Sequence, residues 1–482
     1  MSSPPVEPGS PAPSDADVMD RAASLGDAPG LASASPAELP AVELDIWKLA
    51  LPAVATNLLF SSVSFVGIMA VGSLGTSALA AVTAGERVFF ILQAVLMAVT
   101  AGTTALVARA YGRRDEVEAA LVARASLWIC MGVAGVATAL GLLFADHLVG
   151  IFELGESTLA MASRYIRWMM LFNVVFAVFI SLAAALRAAG DTITPLWVGG
   201  IANVLNVLLL FPFVYGSWGF ESLGVVGAAL AGGVAFTVAS SVLLAMWWRG
   251  RLRVGRGGPG ALSRKRVREL VRVGTPAGLE QLAFQVGFVI FLWVVSFYGD
   301  AAYAAYGIGV RILSFSFVVG FGFSIAASTL VGQHLGAGDP EAATRAGWRA
   351  TRISLVVMVV FGLAIMLSAE PIARMMVDDD ETVRLAVVFI YLLGSAQPLM
   401  ALEFGLSGAL RGAGDTRFPF YAVLIGMVGV RCSLAALAAW LELSVEWVFA
   451  ALLGDWLVKA LLLVWRFRSG RWQHVFERSQ PA

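Results

Sequence analysis

The sequence predicts an all-α membrane protein of twelve transmembrane helices, arranged as two parallel-repeat lobes of six. Three observations lead there. Hydrophobic residues make up 59% of the chain and charged residues 14%, with a mean hydropathy of +0.81, outside the range of an ordinary soluble domain. Twelve apolar stretches follow one another, each near the roughly 20 residues that cross a hydrocarbon layer. A nine-residue pattern occurs twice, as Arg187-Ala-Ala-Gly190-Asp191-Thr192-Ile-Thr-Pro195 and Arg411-Gly-Ala-Gly414-Asp415-Thr416-Arg-Phe-Pro419, with the copies 224 residues apart.

The same offset relates Pro52-Ala53 to Pro276-Ala277, Arg87 to Arg311, and Leu106-Val107 with Gly112 to Leu330-Val331 with Gly336. A period this long describes two duplicated lobes, not a solenoid. Spans are expected near 46–70, 79–107, 121–145, 161–186, 194–215 and 224–248, then near 271–297, 301–333, 350–369, 383–410, 418–440 and 446–467. Backbone groups in lipid need internal partners, and these stretches lack the alternation of barrel strands, so helices are the spanning element.

Orientation follows from the arginines. Residues 249–272 carry Arg249, Arg251, Arg253, Arg256, Arg264, Lys265, Arg266, Arg268 and Arg272, and the turns at 109–124, 345–352 and 466–478 are also basic. Alternate connections hold acids such as Asp146, Glu153, Glu156, Asp300, Glu370 and Asp378 to Glu381. Basic loops stay cytoplasmic, which places both termini inside. Six is even, so the halves are parallel repeats, with a cleft between them suited to a substrate. The expected domains are an N-lobe over 46–248, a basic cytoplasmic linker over 249–270 and a C-lobe over 271–467. A Pro-, Ala- and Ser-rich tail over 1–45 is expected to be disordered, and 468–482 to be a short cytoplasmic tail.

Several chemistries find no support. Cys130 and Cys432 are single and His147, His334 and His474 are scattered, so no metal cluster, redox pair or cofactor is expected. No Walker-type loop is present. No nucleophile constellation marks an enzyme, and nothing points to nucleic acid.

The doubled motif closes the fourth and tenth spans. Gly190 and Gly414 permit a left-handed helix end, Asp191 and Asp415 are placed to cap the next helix, and the prolines start it. Arg187 and Arg411 are expected to bond terminal carbonyls or the nearby aspartate, shaping a hairpin without touching substrate.

With these motifs, Ala-Leu-Ala-Ala at 78–81 with its counterpart at 302–305, and Val331-Gly332-Gln333-His334-Leu335-Gly336-Ala337-Gly338-Asp339, the chain resembles the multidrug and toxic compound extrusion (MATE) family over residues 46 to about 472. The resemblance implies an antiporter of the bacterial inner membrane. It would export bulky amphipathic cations in exchange for H⁺ or Na⁺, as two lobes alternate between inward- and outward-open forms. A monomer suffices for such a cycle. Many relatives carry an aspartate late in the first span, where this chain reads Val66-Gly67-Ile68-Met69-Ala70-Val71-Gly72. The resemblance therefore points to the C-lobe for coupling.

Ionisable residues inside a membrane are costly and so are functional candidates. Glu280, two turns into the seventh span, and Glu403, two turns before the end of the tenth, both come out about 10 Å below the inner boundary. A facing carboxylate pair there would share a proton or hold Na⁺. The competing reading pairs each with Arg311 or Arg431. Asp455 is a third coupling candidate, with Lys459 at i+4 as an obvious partner. Glu86, beside Arg87 near the outer end of its span, reads as a snorkelling residue. For the substrate cavity the polar candidates are Asn203, Asn206, Gln281, Gln285 and Gln397. Two alternatives to an antiporter are a lipid-linked precursor flippase, which calls for a strongly cationic cleft, and a passive channel.

Overall fold

The computed structural model describes residues 45–152, 154–219 and 221–475. The expectations for the N-terminal tail, Glu153 and residues 476–482 lie outside these. The first half contains α1 (Ile46–Gly72), α2 (Thr76–Gly112), α3 (Glu116–Leu143), α4 (Ala145–Gly150), α5 (Glu156–Leu171), α6 (Asn173–Ala188), α7 (Ile193–Tyr215) and α8 (Val225–Trp248). The second half contains α9 (Arg264–Ser296), α10 (Asp300–Gly336), α11 (Pro340–Leu367), α12 (Ala369–Met376), α13 (Asp380–Gly412), α14 (Arg417–Val423), a π-helical segment (Leu424–Cys432), α15 (Ser433–Trp440) and α16 (Val445–Arg468). Among the described residues eleven helices can cross a membrane, or twelve if the bent pair α5–α6 is one span. The chain is a multi-pass membrane protein.

Duplication is visible in the helix ends. α2 and α10 each run 37 residues and start and stop 224 positions apart; at 1.5 Å per residue each is about 55 Å long, well beyond a hydrocarbon core of about 30 Å. Asp115 caps α3 by accepting the Glu118 amide at 2.9 Å, and its counterpart Asp339 caps α11 through the Ala342 amide at 2.7 Å. The motif threonines tie back to the opening span of their own half: Thr192 Oγ1 donates to the Lys48 carbonyl at 2.8 Å and Thr416 Oγ1 to that of Val273 at 2.6 Å.

Three elements differ from the sequence expectation. The fourth span bends by 50° between α5 and α6. Its apolar run is continuous, but Asn173 at the break is held by neighbouring spans, accepting from Gln93 at 2.8 Å and donating to the Ala134 carbonyl at 3.1 Å. The eleventh span passes through the π segment, a register shift of the kind that gathers at functional sites. The basic stretch expected as linker to 270 is already helical from Arg264, because Ser263 Oγ accepts the Arg266 amide and caps α9.

The lobes meet along the face that carries the basic turns. α2 packs on α9 and α10, and α1 on α10. The crossings use glycine where backbones touch: a Cβ on Gly112 would lie 1.9 Å from the Gln333 carbonyl, and one on its counterpart Gly336 2.1 Å from that of Arg109. Small residues at such crossings are what allow close helix approach in lipid. Two hydrogen bonds fasten the seam, Thr329 Oγ1 to the Arg187 carbonyl at 3.1 Å and Gln333 Nε2 to the Ala188 carbonyl at 2.8 Å. Both carbonyls belong to the last turn of α6, which needs outside donors.

Candidate functional site

Gly190 and Gly414 have φ of 87° and 82°, the left-handed ends that the doubled motif calls for. Asp191 caps α7, accepting the Thr194 amide at 2.9 Å and its hydroxyl at 2.6 Å. Asp415 does not cap in this way. The residue equivalent to Thr194 is Phe418, which has no hydroxyl, and Asp415 instead takes Arg466 of α16 at 2.7 Å. Arg411 departs as well: it reaches neither a terminal carbonyl nor its own aspartate but Glu280 at 3.0 Å, with a second bond to Ser407 at 2.8 Å. Arg187 faces no such acid, since Thr56 occupies the position equivalent to Glu280.

The C-lobe gathers the other candidate acids around Lys459. Its Nζ lies 3.1 Å from Glu403 on α13 and 3.3 Å from Asp455 one turn back on α16. Asp455 is also 2.5 Å from Arg431 on the π segment. Gly426 permits this approach, as a Cβ there would stand 2.5 Å from both Asp455 Oδ1 and Lys459 Cγ. The expected partners of Glu280 and Glu403 are therefore corrected. Arg311 is exposed on α10, Arg431 serves Asp455, and the cations in contact are Arg411 and Lys459. The expected pair of carboxylates does not share a bare site: Glu280 contacts Arg411 and Glu403 contacts Lys459.

Burial makes the arrangement costly. Asp455 and Lys459 are completely buried and Arg431 is 2% exposed, and charges removed from water to this degree persist only when paired. The Lys459 contacts lack directed hydrogen-bond geometry; the ammonium also sits 3.6 Å from the centroid of the Trp456 ring, a cation–π position. Three carboxylates (Glu280, Glu403, Asp455) stand against three bases (Arg411, Lys459, Arg431), so the network is neutral when all are ionised. Among the described residues no group of three His, Cys, Asp or Glu could hold a metal ion. The possible Na⁺ position at Glu280 and Glu403 is already faced by a guanidinium and an ammonium, so an entering ion has to displace one of them.

The polar substrate candidates separate. Gln281 and Gln285 are half-buried on α9. Asn203 is 4% exposed, with Nδ2 unbonded. Gln397 is corrected: it is fully buried and its amide donates to Ser316 at 2.8 Å and to the Leu393 carbonyl at 3.2 Å, which makes it part of the packing between α10 and α13. Asn206 lines an N-lobe cavity of about 190 Å³ together with Glu86, Tyr165, Met169, Phe176 and Phe236. Phe236 packs edge-on to Phe176 at 4.9 Å and to Phe179 at 5.5 Å. Glu86 was thus misread as a snorkelling residue. The signal that identifies it is helical: Val82, Glu86 and Phe89 recur at i, i+4 and i+7 on one face of α2, and all three line the cavity.

Comparison with known proteins gives one answer. The model of the MatE family matches residues 52–211 and 276–437, two segments whose starts are again 224 residues apart. The chain is 30% identical over 444 residues to the probable multidrug resistance protein NorM of Thermotoga maritima, covering 90% of this chain and 94% of that protein. It is 27% identical over 455 residues to the multidrug resistance protein NorM of Burkholderia vietnamiensis, covering 90% and 96%. Its fold is similar to a structure described as the outward-facing conformation of a multidrug resistance MATE family transporter, with a TM-score of 0.83 at 21% identity, covering 88% of this chain and 96% of that one.

Proposed function

The chain belongs to the MatE family, and we propose that it is a secondary active antiporter of a bacterial inner membrane, exporting bulky amphipathic cations in exchange for H⁺ or Na⁺. Its relatives' names support drug export. The observation that carries the coupling is the neutral network of Glu280, Glu403 and Asp455 with Arg411, Lys459 and Arg431. A proton on Glu403 leaves Lys459 sharing Asp455 with Arg431, and the network at a net +1. At a separation of about 8 Å and an effective dielectric of about 20, that charge repels a cationic cargo by about 2 kcal/mol, about thirtyfold in affinity. Proton binding and cargo binding then exclude each other at one site, so that proton entry drives cargo release, which is what exchange requires.

The basic face is assigned to the cytoplasm, with both termini inside, so the seam of Gly112, Gly336, Thr329 and Gln333 is the closed inner gate of an outward-facing state. The protein is taken to work as a monomer. Neither alternative is preferred: a precursor flippase calls for a net cationic cleft among the spans and the buried C-lobe network is balanced, the basic residues gathering instead at the cytoplasmic ends of the helices, while a sealed seam suits alternating access better than a fixed pore.

The test is efflux of a fluorescent cationic dye from proteoliposomes, driven separately by a pH and by a sodium gradient. One gradient should drive efflux, and Glu280→Gln and Glu403→Gln should abolish it. Efflux at the same rate without any gradient would exclude coupling.

A further inference from the structure

A second site lies on the basic face, outside the transport machinery described so far. A cavity of about 1340 Å³ opens there between the ends of α2 and α3, the first turns of α9 and the residues 414–417 that lead into α14. Its walls therefore come from both lobes. Eight basic side chains line it against four acidic ones. Two of the acids are engaged by arginines: Glu118 takes Arg266 through two bonds of 2.7 and 2.9 Å, and Asp415 takes Arg466. Asp115 accepts a backbone amide as the cap of α3. Arg113, Arg264, Lys265, Arg268 and Arg417 form no ion pair among the described residues.

Topology does not account for this convergence. A rule that keeps positive charge on one side of the membrane is met by arginines anywhere in those turns. Yet the residues equivalent to Arg113 and Arg417 in the other half are Ala337 and Ile193, so the duplicated fold tolerates uncharged side chains there, and the charge is concentrated in one of the two equivalent places. Guanidinium groups present several donors in a fixed fork that suits phosphate oxygens. The volume exceeds what a single small anion fills and suits a group carrying several phosphates.

We propose that this cavity binds a multiply phosphorylated anion, which bridges the two lobes and holds the basic face closed. Arg113 belongs to one lobe and Arg264, Lys265 and Arg417 to the other, so parting the lobes separates the ligand's contacts. A ligand that binds one conformer better shifts the population toward it by that difference in affinity. Phosphate of this kind comes from a membrane lipid whose headgroup carries two or more phosphates or from a soluble polyphosphate; basic pockets between spanning helices accept the former. Binding itself does not depend on the antiport reading; only its effect on transport does.

The experiment uses the full-length protein. Inorganic triphosphate is titrated in detergent while melting is followed, and retention of diphosphatidylglycerol over phosphatidylglycerol is read by native mass spectrometry. The triple variant Arg113→Gln, Lys265→Gln, Arg417→Gln should lose at least tenfold in affinity for the probe that binds. A control, Arg249→Gln, Arg251→Gln, Arg256→Gln, removes equal charge from the same face outside the cavity and should bind as the parent does. Retention of the lipid alone identifies a headgroup site, and a response to triphosphate alone identifies a soluble ligand. Equal losses in both triple variants, or no binding of either probe by the parent protein, would overturn the proposal. If the triple variant does not fold, Arg417→Gln against Arg256→Gln gives the same comparison.

Discussion

Lys459 on the last span stands 3.1 Å from Glu403 on the tenth, and the same ammonium lies 3.3 Å from Asp455. One base thus answers two buried acids, and the strength of that arrangement is open to measurement. We predict that Lys459→Met destabilises the protein by about 3–5 kcal/mol, the cost of leaving a buried charge unpaired. Glu403→Gln combined with Lys459→Met should recover most of this loss without recovering transport. Melting in detergent, with dye efflux alongside, checks both; a double variant as unstable as the single would show that the two residues do not act as a pair.

The doubled arginines should behave unequally. Arg411 contacts Glu280 at 3.0 Å, whereas Arg187 has Thr56 at the equivalent place. Arg411→Gln is predicted to cut gradient-driven efflux at least tenfold, and Arg187→Gln to change it less than threefold. Similar losses would mean that both arginines serve the hairpins alone.

At the seam, Gly112→Ala and Gly336→Ala insert a Cβ where 1.9 and 2.1 Å separate it from a carbonyl oxygen. Backbone cannot yield as a flexible side chain does, so the lobes should part on the basic side. With a cysteine at Ala108, which is fully buried, labelling by an impermeant maleimide from that side should rise severalfold. Unchanged labelling in both variants would contradict the gate.

The N-lobe cavity offers an acid among aromatic rings. Glu86→Gln is expected to raise the KM for cationic dyes about 5- to 30-fold, equivalent to losing about 1–2 kcal/mol of charge attraction, and to leave uncharged substrates nearly unaffected. A uniform change across both classes would assign Glu86 to packing.

What the sequence made legible was whatever repeats or accumulates along the chain. The 224-residue period located matching helices almost to the residue, as α2 and α10 demonstrate, and the scarcity of charge in the spans singled out Glu280, Glu403 and Asp455. Pairings across helices were beyond its reach: Arg411 and Glu280 are 131 positions apart, and only the tertiary arrangement, which brings the long arginine side chain of α13 to α9, decides that they meet. The bend at Asn173 and the burial of Gln397 were hidden for the same reason, since each is set by partners on other spans. Glu86 was misjudged because its neighbour Arg87 suggested an interfacial pair, although the two point to different sides of α2.

The balance of three acids and three bases bears on how the transporter responds to voltage. A rearrangement that carries the fully ionised network across part of the bilayer moves no net charge, so the membrane potential does no work on the unloaded return step. An added proton or cargo restores a single charge, worth about 2.3 kcal/mol per 100 mV over the full field. On the proposed antiport cycle the electrical driving force therefore acts only on occupied forms, and nothing electrical opposes an empty return, so tight exchange has to come from a structural barrier to reorientation of the unloaded carrier.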